Sequence, residues 1–333
     1  MTQLVVDLAH GIKDRQRGAL ARAITLVEST HPAHREQAIE LLDLLLPERN
    51  DTTRVAFTGP PGAGKSTLIN ALTSHVTDAG HRVAVLAIDP TSARSGGALL
   101  GDRTRMVDQS QNENVFIRSS PSGLTLGGVA QRTRDVMLLC EAAGFDTVFI
   151  ETVGVGQSEF EAAQMVDCFV LLLAPGGGDE LQAIKAGIVE YADIVAVNKA
   201  DGDLALTAKR LRADYESALG MGHGRVPSWT RPVLLTSAET GLGIDDLWAA
   251  ISAFETNLDA DGTRARWRAG QRLGALHDAL VELLVEDAQR TANALDTDDL
   301  ERAVSEGTVS PLSAAAQLVE RARSRDQSRG TER

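Results

Sequence analysis

A chain of 333 residues with 43% hydrophobic and 24% charged side chains sits in the ordinary globular range, with material for one large α/β core and helical additions. Its formal net charge of −13 repels phosphate backbones and anionic lipid, and an aromatic content of 4% is poor for stacking on single-stranded bases. Nucleic acid and the membrane surface are therefore excluded as expected partners.

Cys140 and Cys168 stand far apart, without CxxC or Cys/His ligand spacing, and read as reduced, buried thiols. No apolar run approaches the ~18–20 residues of a spanning helix, and the first residues lack a signal or transit pattern, so the expected location is the cytoplasm.

In chain order, residues 1–50 read as an N-terminal helical extension. Leu20, Ala23, Ile24 and Val27 form an i, i+3, i+4, i+7 stripe, and Pro32 is placed to open another helix. Residues 51–256 alternate short apolar runs with helical periodicity. Strands are predicted at Val55–Thr58, Val83–Ile88, Val115–Arg118, Thr147–Ile150, Phe169–Leu173, Ile194–Val197 and Val233–Thr236. Strands apolar throughout and separated by helices predict a mostly parallel sheet covered on both faces. Residues 257–333 read as a helical arm. Trp267, Leu273, Leu276, Leu280 and Leu283 line a helix over 263–291 whose spacing suits an antiparallel or dimer seam. Ser310-Pro311 starts a further helix, and the Arg/Ser/Asp-rich tail from Ser324 is expected to be disordered.

Gly59-Pro60-Pro61-Gly62-Ala63-Gly64-Lys65-Ser66 fits GxxxxGK[ST] between a predicted strand and a helix that begins around Thr67. In this pattern glycines turn backbone N–H groups inward around phosphates, the lysine reaches the β/γ oxygens, and the serine ligates Mg²⁺. The helix adds its positive end. Only five of the 33 basic residues are lysines, and three of them (Lys65, Lys185, Lys199) fall in candidate motifs. A chain that uses arginine almost everywhere keeps lysine where a compact ammonium is needed.

Asn198-Lys199-Ala200-Asp201 follows another predicted strand. A carboxylate at Asp201 accepts from guanine N1–H and the 2-amino group, which adenine does not offer, and Lys199 lies along the base plane. Ser237-Ala238-Glu239 is the candidate third base-contacting loop. The candidates for the metal and the chemistry are Asp89, Asp102, Glu151 and Ser66, all hard oxygen donors suited to Mg²⁺. Gly154 offers an N–H to the γ-phosphate. Lys65, Glu151 and Asp89 form the expected catalytic set. Val155, not Gln, follows Gly154, so slow intrinsic hydrolysis accelerated by a partner is expected.

Together with Asp89-Pro90-Thr91-Ser92, Gly101-Asp102-Arg103-Thr104-Arg105-Met106, Leu126-Gly127-Gly128, Glu151-Thr152-Val153-Gly154-Val155-Gly156-Gln157-Ser158-Glu159 and Gly177-Gly178-Asp179-Glu180-Leu181-Gln182 with Lys185, these motifs resemble the MeaB/ArgK-type GTPases of the SIMIBI class. The resemblance spans nearly the whole chain. It implies GTP hydrolysis with GTP/GDP and Mg²⁺ as ligands. It also implies a chaperone role toward an adenosylcobalamin-dependent methylmalonyl-CoA mutase, an additional switch at Asp179, Glu180, Gln182 and Lys185, and homodimerisation through the C-terminal arm. Two alternatives stay open within the same class. One is a metal-insertion GTPase, although the seven histidines form no tract. The other is an amino-acid transport-associated kinase, which needs an acceptor site.

Overall fold

The computed structural model describes residues 1–48, 51–88, 112–120, 126–152, 158–176, 187–220, 224–293 and 297–330. By internal contacts the chain forms two compact units, Met1–Arg272 and Leu273–Arg333.

The first unit opens with α1 (Gln3–Lys13), α2 (Arg17–Val27) and α3 (Pro32–Leu45). His31 caps α3, its ring nitrogen accepting from Ala33 N–H at 3.3 Å, and Pro32 takes the first turn, where a missing N–H costs nothing. The predicted stripe of α2 is buried and packs in one cluster with Leu8, Ile12, Leu41 and Leu45.

Among the described residues seven strands follow: β1 (Thr53–Thr58), β2 (Val83–Ile88), β3 (Val115–Ser120), β4 (Thr147–Thr152), β5 (Cys168–Leu173), β6 (Ile194–Val197) and β7 (Val233–Leu235). They form one sheet in the order β3-β2-β4-β1-β5-β6-β7, parallel at every pairing. Each predicted strand is present. Parallel strands need crossovers, and these include α4 (Lys65–Asp78), α5 (Leu126–Ala142), the short α6 (Ser158–Ala163) and α7 (Ile188–Tyr191), α8 (Ala205–Gly220) and α9 (Ile244–Ala260).

The alternation of side chains along each strand divides the core. On one face Phe57 and Phe149, in edge-to-face contact at 5.3 Å, pack with Leu68, Ile69 and Leu72 of α4 and Leu247, Ile251 and Phe254 of α9. On the other, Ala56, Val148, Ile150 and Leu171 pack with α5 and the N-terminal helices. Cys140 and Cys168 are free and fully buried, and burial pushes both thiols well up.

α10 (Thr263–Asn293) leaves the first unit, and the second unit adds α11 (Asp298–Ser305) and α12 (Pro311–Gly330). Ser310 Oγ accepts from Ser313 N–H at 3.2 Å, as the Ser-Pro start predicts. α12 stays helical to Gly330, beyond Ser324, where composition suggests a disordered tail. No proline or glycine interrupts it after Pro311, and its arginines, alanines and glutamines are good helix formers. Among the described residues no helix is long and apolar enough to cross a membrane.

Candidate nucleotide-binding site

The site lies at the C-terminal crest of the sheet, where β1, β4, β6 and β7 end. β1 runs into the glycine-rich loop, and two of its glycines are sterically required. Gly59 has φ +149°, and a Cβ there would lie 2.2 Å from the Leu172 carbonyl oxygen of β5. Gly64, the N-cap of α4, has φ +88°, and its Cβ would lie 2.6 Å from Asn198 Nδ2. Any side chain at either position forces the loop away from the sheet.

Lys65 is the first residue of α4 and only 8% exposed. Its ammonium donates to the carbonyls of Gly59 at 2.7 Å and Pro60 at 3.2 Å, so the loop wraps around the lysine. Pro61 and Gly62 form the exposed tip, Ala63 is buried, and Thr67 is exposed in the first turn of α4. Ser66 Oγ donates to Glu151 Oε1 at 2.5 Å across 85 positions of sequence, a charge-assisted bond. Thus two hard oxygen donors meet at the N-terminal end of α4, beside the positive end of its dipole.

β6 delivers the second motif. Asn198 is buried and donates from Nδ2 to the Ala63 carbonyl at 2.9 Å, tying this loop to the phosphate loop. Thr236 Oγ1 donates to Asn198 Oδ1 at 3.4 Å. Lys199 is exposed and holds φ +57°, a left-handed conformation uncommon for a side chain with a Cβ. Ser237, following β7, donates its hydroxyl to Asp201 Oδ2 and accepts from Thr240 N–H at 3.2 Å. Ala238 is half-buried and Glu239 exposed.

The structure therefore brings Gly59–Ser66, Glu151, Asn198–Asp201 and Ser237 to one end of the sheet. Asp89, Asp102, Gly154, Asp179, Glu180, Gln182 and Lys185 lie outside the described residues. Thr236, which the sequence places only as the end of a strand, joins these residues through Asn198, and its position just before Ser237 is the signal that marks it.

Among the described residues no group of three His, Cys, Asp or Glu side chains converges on a metal-sized point. The Ser66–Glu151 pair nevertheless fits a partial shell of the kind Mg²⁺ takes, because this ion keeps waters and phosphate oxygens among its ligands.

Residues 20–294 match the family described as methylmalonyl-CoA mutase-associated GTPase MeaB. The chain belongs to the MeaB family of GTPases. It is 53% identical over 312 residues to a putative GTPase of Caulobacter vibrioides, covering 93% of this chain and 95% of that one. It is also similar to the mitochondrial methylmalonic aciduria type A homolog of Mus musculus, 45% identical over 335 residues, covering 97% and 81%. Among solved structures it resembles a LAO/AO transport system kinase, with a TM-score of 0.73 and 37% identity over 96% of this chain and 98% of that one. As a MeaB-family member the chain is a GTPase that binds guanine nucleotide.

Proposed function

We propose that this GTPase attends an adenosylcobalamin-dependent methylmalonyl-CoA mutase, with GTP binding and hydrolysis as the switch for cofactor loading, protection and reactivation. The observation that carries this reading is the family match over residues 20–294. The name of the mouse relative points the same way.

In this account water attacks the γ-phosphate in line and GDP leaves. The backbone N–H groups of the loop after Pro60 and Pro61, which carry none, and the Lys65 ammonium stabilise charge developing on the β/γ oxygens. The carbonyls of Gly59 and Pro60 hold the Lys65 ammonium at the mouth of α4. Asp201 reads the guanine edge, with Ser237 fixing the carboxylate, while Ala238 and Glu239 belong to the loop that meets guanine O6. Ser66 and Glu151 would hold Mg²⁺, with Asp89 and Asp102 as further candidates, and the bound ion would neutralise phosphate charge. Gly154 meets the γ-phosphate, and Asp179, Glu180, Gln182 and Lys185 relay nucleotide state to the mutase.

We assign the residues to a helical extension over 1–50, a G domain over 51–256 and a dimerisation arm over 257–333. The arm's apolar face supports homodimerisation: Leu273, Leu276, Leu280 and Leu283 are 63%, 62%, 49% and 45% exposed in the single chain, and a second copy of the arm would cover them.

The test is GTP turnover with and without purified methylmalonyl-CoA mutase, alongside a pull-down. Acceleration and a complex are expected. Neither would point to another client. The likeness to a transport system kinase favours a second reading as a phosphotransferase. That reading gains if labelled γ-phosphate appears on a basic amino acid or a protein instead of as inorganic phosphate.

A further inference from the structure

Thr58 and Thr152 close β1 and β4, immediately before Gly59 and immediately after Glu151. The backbone pairing of these strands aligns Thr53 with Thr147 and ends where Phe57 aligns with Glu151. One residue further on, the connection continues through side chains. Thr152 Oγ1 lies 3.1 Å from Thr58 Oγ1 and 3.3 Å from the Phe57 carbonyl oxygen. Both threonines are buried, at 1% and 0% exposure. Two hydroxyl protons serve the two contacts.

The pleat sets what each strand end presents. Phe57 belongs to the core on the α4 side, and Glu151 bonds Ser66 of α4. Thr58 and Thr152, next along, turn to the opposite face, where Ala56 and Ile150 are buried. Valine would fill the same space without burying a hydroxyl, and a buried hydroxyl is unfavourable unless bonded. The hydroxyls sit where the strand leading to the phosphate loop must keep a fixed distance from the strand carrying Glu151.

We propose that Thr58 and Thr152 are positioning residues for the Ser66–Glu151 pair. Their hydroxyl link pins the end of β4 to the end of β1, and so sets how much Mg²⁺ strengthens nucleotide binding. The inference rests on the reading that Ser66 and Glu151 hold that ion. Neither threonine touches the nucleotide; both act through Glu151.

The experiment is calorimetric titration of the full chain with GTP, in Mg²⁺ and separately in EDTA, for the native protein and Thr152→Val, Thr58→Val and Thr152→Ser. The native protein binds GTP more tightly with Mg²⁺. Thr152→Val is expected to lose about five- to tenfold of that gain while its affinity in EDTA stays within about twofold. Thr58→Val shifts in the same direction and carries the test if Thr152→Val fails to fold. Thr152→Ser, which keeps the hydroxyl and drops the methyl, restores most of the gain. Valine variants that keep the full Mg²⁺ gain would overturn the inference. So would a serine variant as defective as the valine one, because a retained hydroxyl would then fail to hold the gain. A native protein with no Mg²⁺ gain would instead remove the ion assignment on which the inference stands.

Discussion

The two ends of the sheet solve opposite problems. At the base, where strands begin, guanidinium–carboxylate pairs are closed within the protein. Arg54 donates to Glu141 at 2.6 Å, and Arg268 grips Asp167 with two bonds of 3.0 and 2.6 Å. Arg225 bonds Asp193 and stacks 4.8 Å over Trp267. Glu141, Asp167 and Asp193 are almost entirely buried. At the crest the lysine is held by backbone carbonyls, and small residues, hydroxyls and an asparagine organise the loops. The base pairs its charges with one another, whereas the crest holds its buried lysine on backbone carbonyls. Stability and chemistry should therefore separate by mutation.

The largest expected effect is at the crest. Lys65→Ala should lower GTP turnover by at least about 10³-fold, with little change in melting temperature. Phosphate release checks it, and near-normal turnover would break the comparison at its centre. Next comes the base. Arg268→Ala leaves Asp167 buried without its main partner and should cost about 3–5 kcal/mol of stability in denaturant unfolding. Its guanine preference should stay intact at a temperature where the variant remains folded. Asp201→Asn should shrink the preference for GTP over xanthosine triphosphate by about 10–100-fold in competition binding, with unfolding little changed. An unchanged preference would remove Asp201 from base recognition.

The smallest effect sharpens the base. Burial pushes the Glu255 carboxyl up to about 7, against the Thr53 hydroxyl bond that lowers it. Burial likewise raises Asp193 to about 6 in spite of Arg225 and the Phe169 N–H. A folded state that holds these protons more tightly than the unfolded chain loses stability as pH rises from the ordinary carboxylate range through those values. Stability should thus fall by on the order of 2 kcal/mol between about pH 4.5 and 7.5 from Glu255. Glu255→Gln should flatten that slope, and an unchanged slope would contradict the assignment.

Much of this was legible in the sequence, for local reasons. Val83–Ile88 and Ile194–Val197 read as strands because parallel strands are apolar on both faces. Gly59–Ser66 reads as a phosphate loop because its glycines and lysine are fixed by short-range geometry. Strand order was not legible: β4 inserts between β1 and β2, and periodicity does not encode which neighbours pair. The base network was hidden for the same reason. Arg268 meets Asp167 across 101 positions and Thr52 across 216, and an arginine on a helix reads as a solvated face until the fold closes. The Ser66–Glu151 pair lay between these cases, since motif order suggested both residues while only the β1–β4 pairing brings them together.

Whether the crest takes a guanine nucleotide is decided by calorimetry with Mg²⁺ present. Saturable GTP uptake is expected, with ATP at least about 100-fold weaker. No uptake of guanine nucleotides, or equal uptake of ATP, would remove the crest as a guanine-nucleotide site.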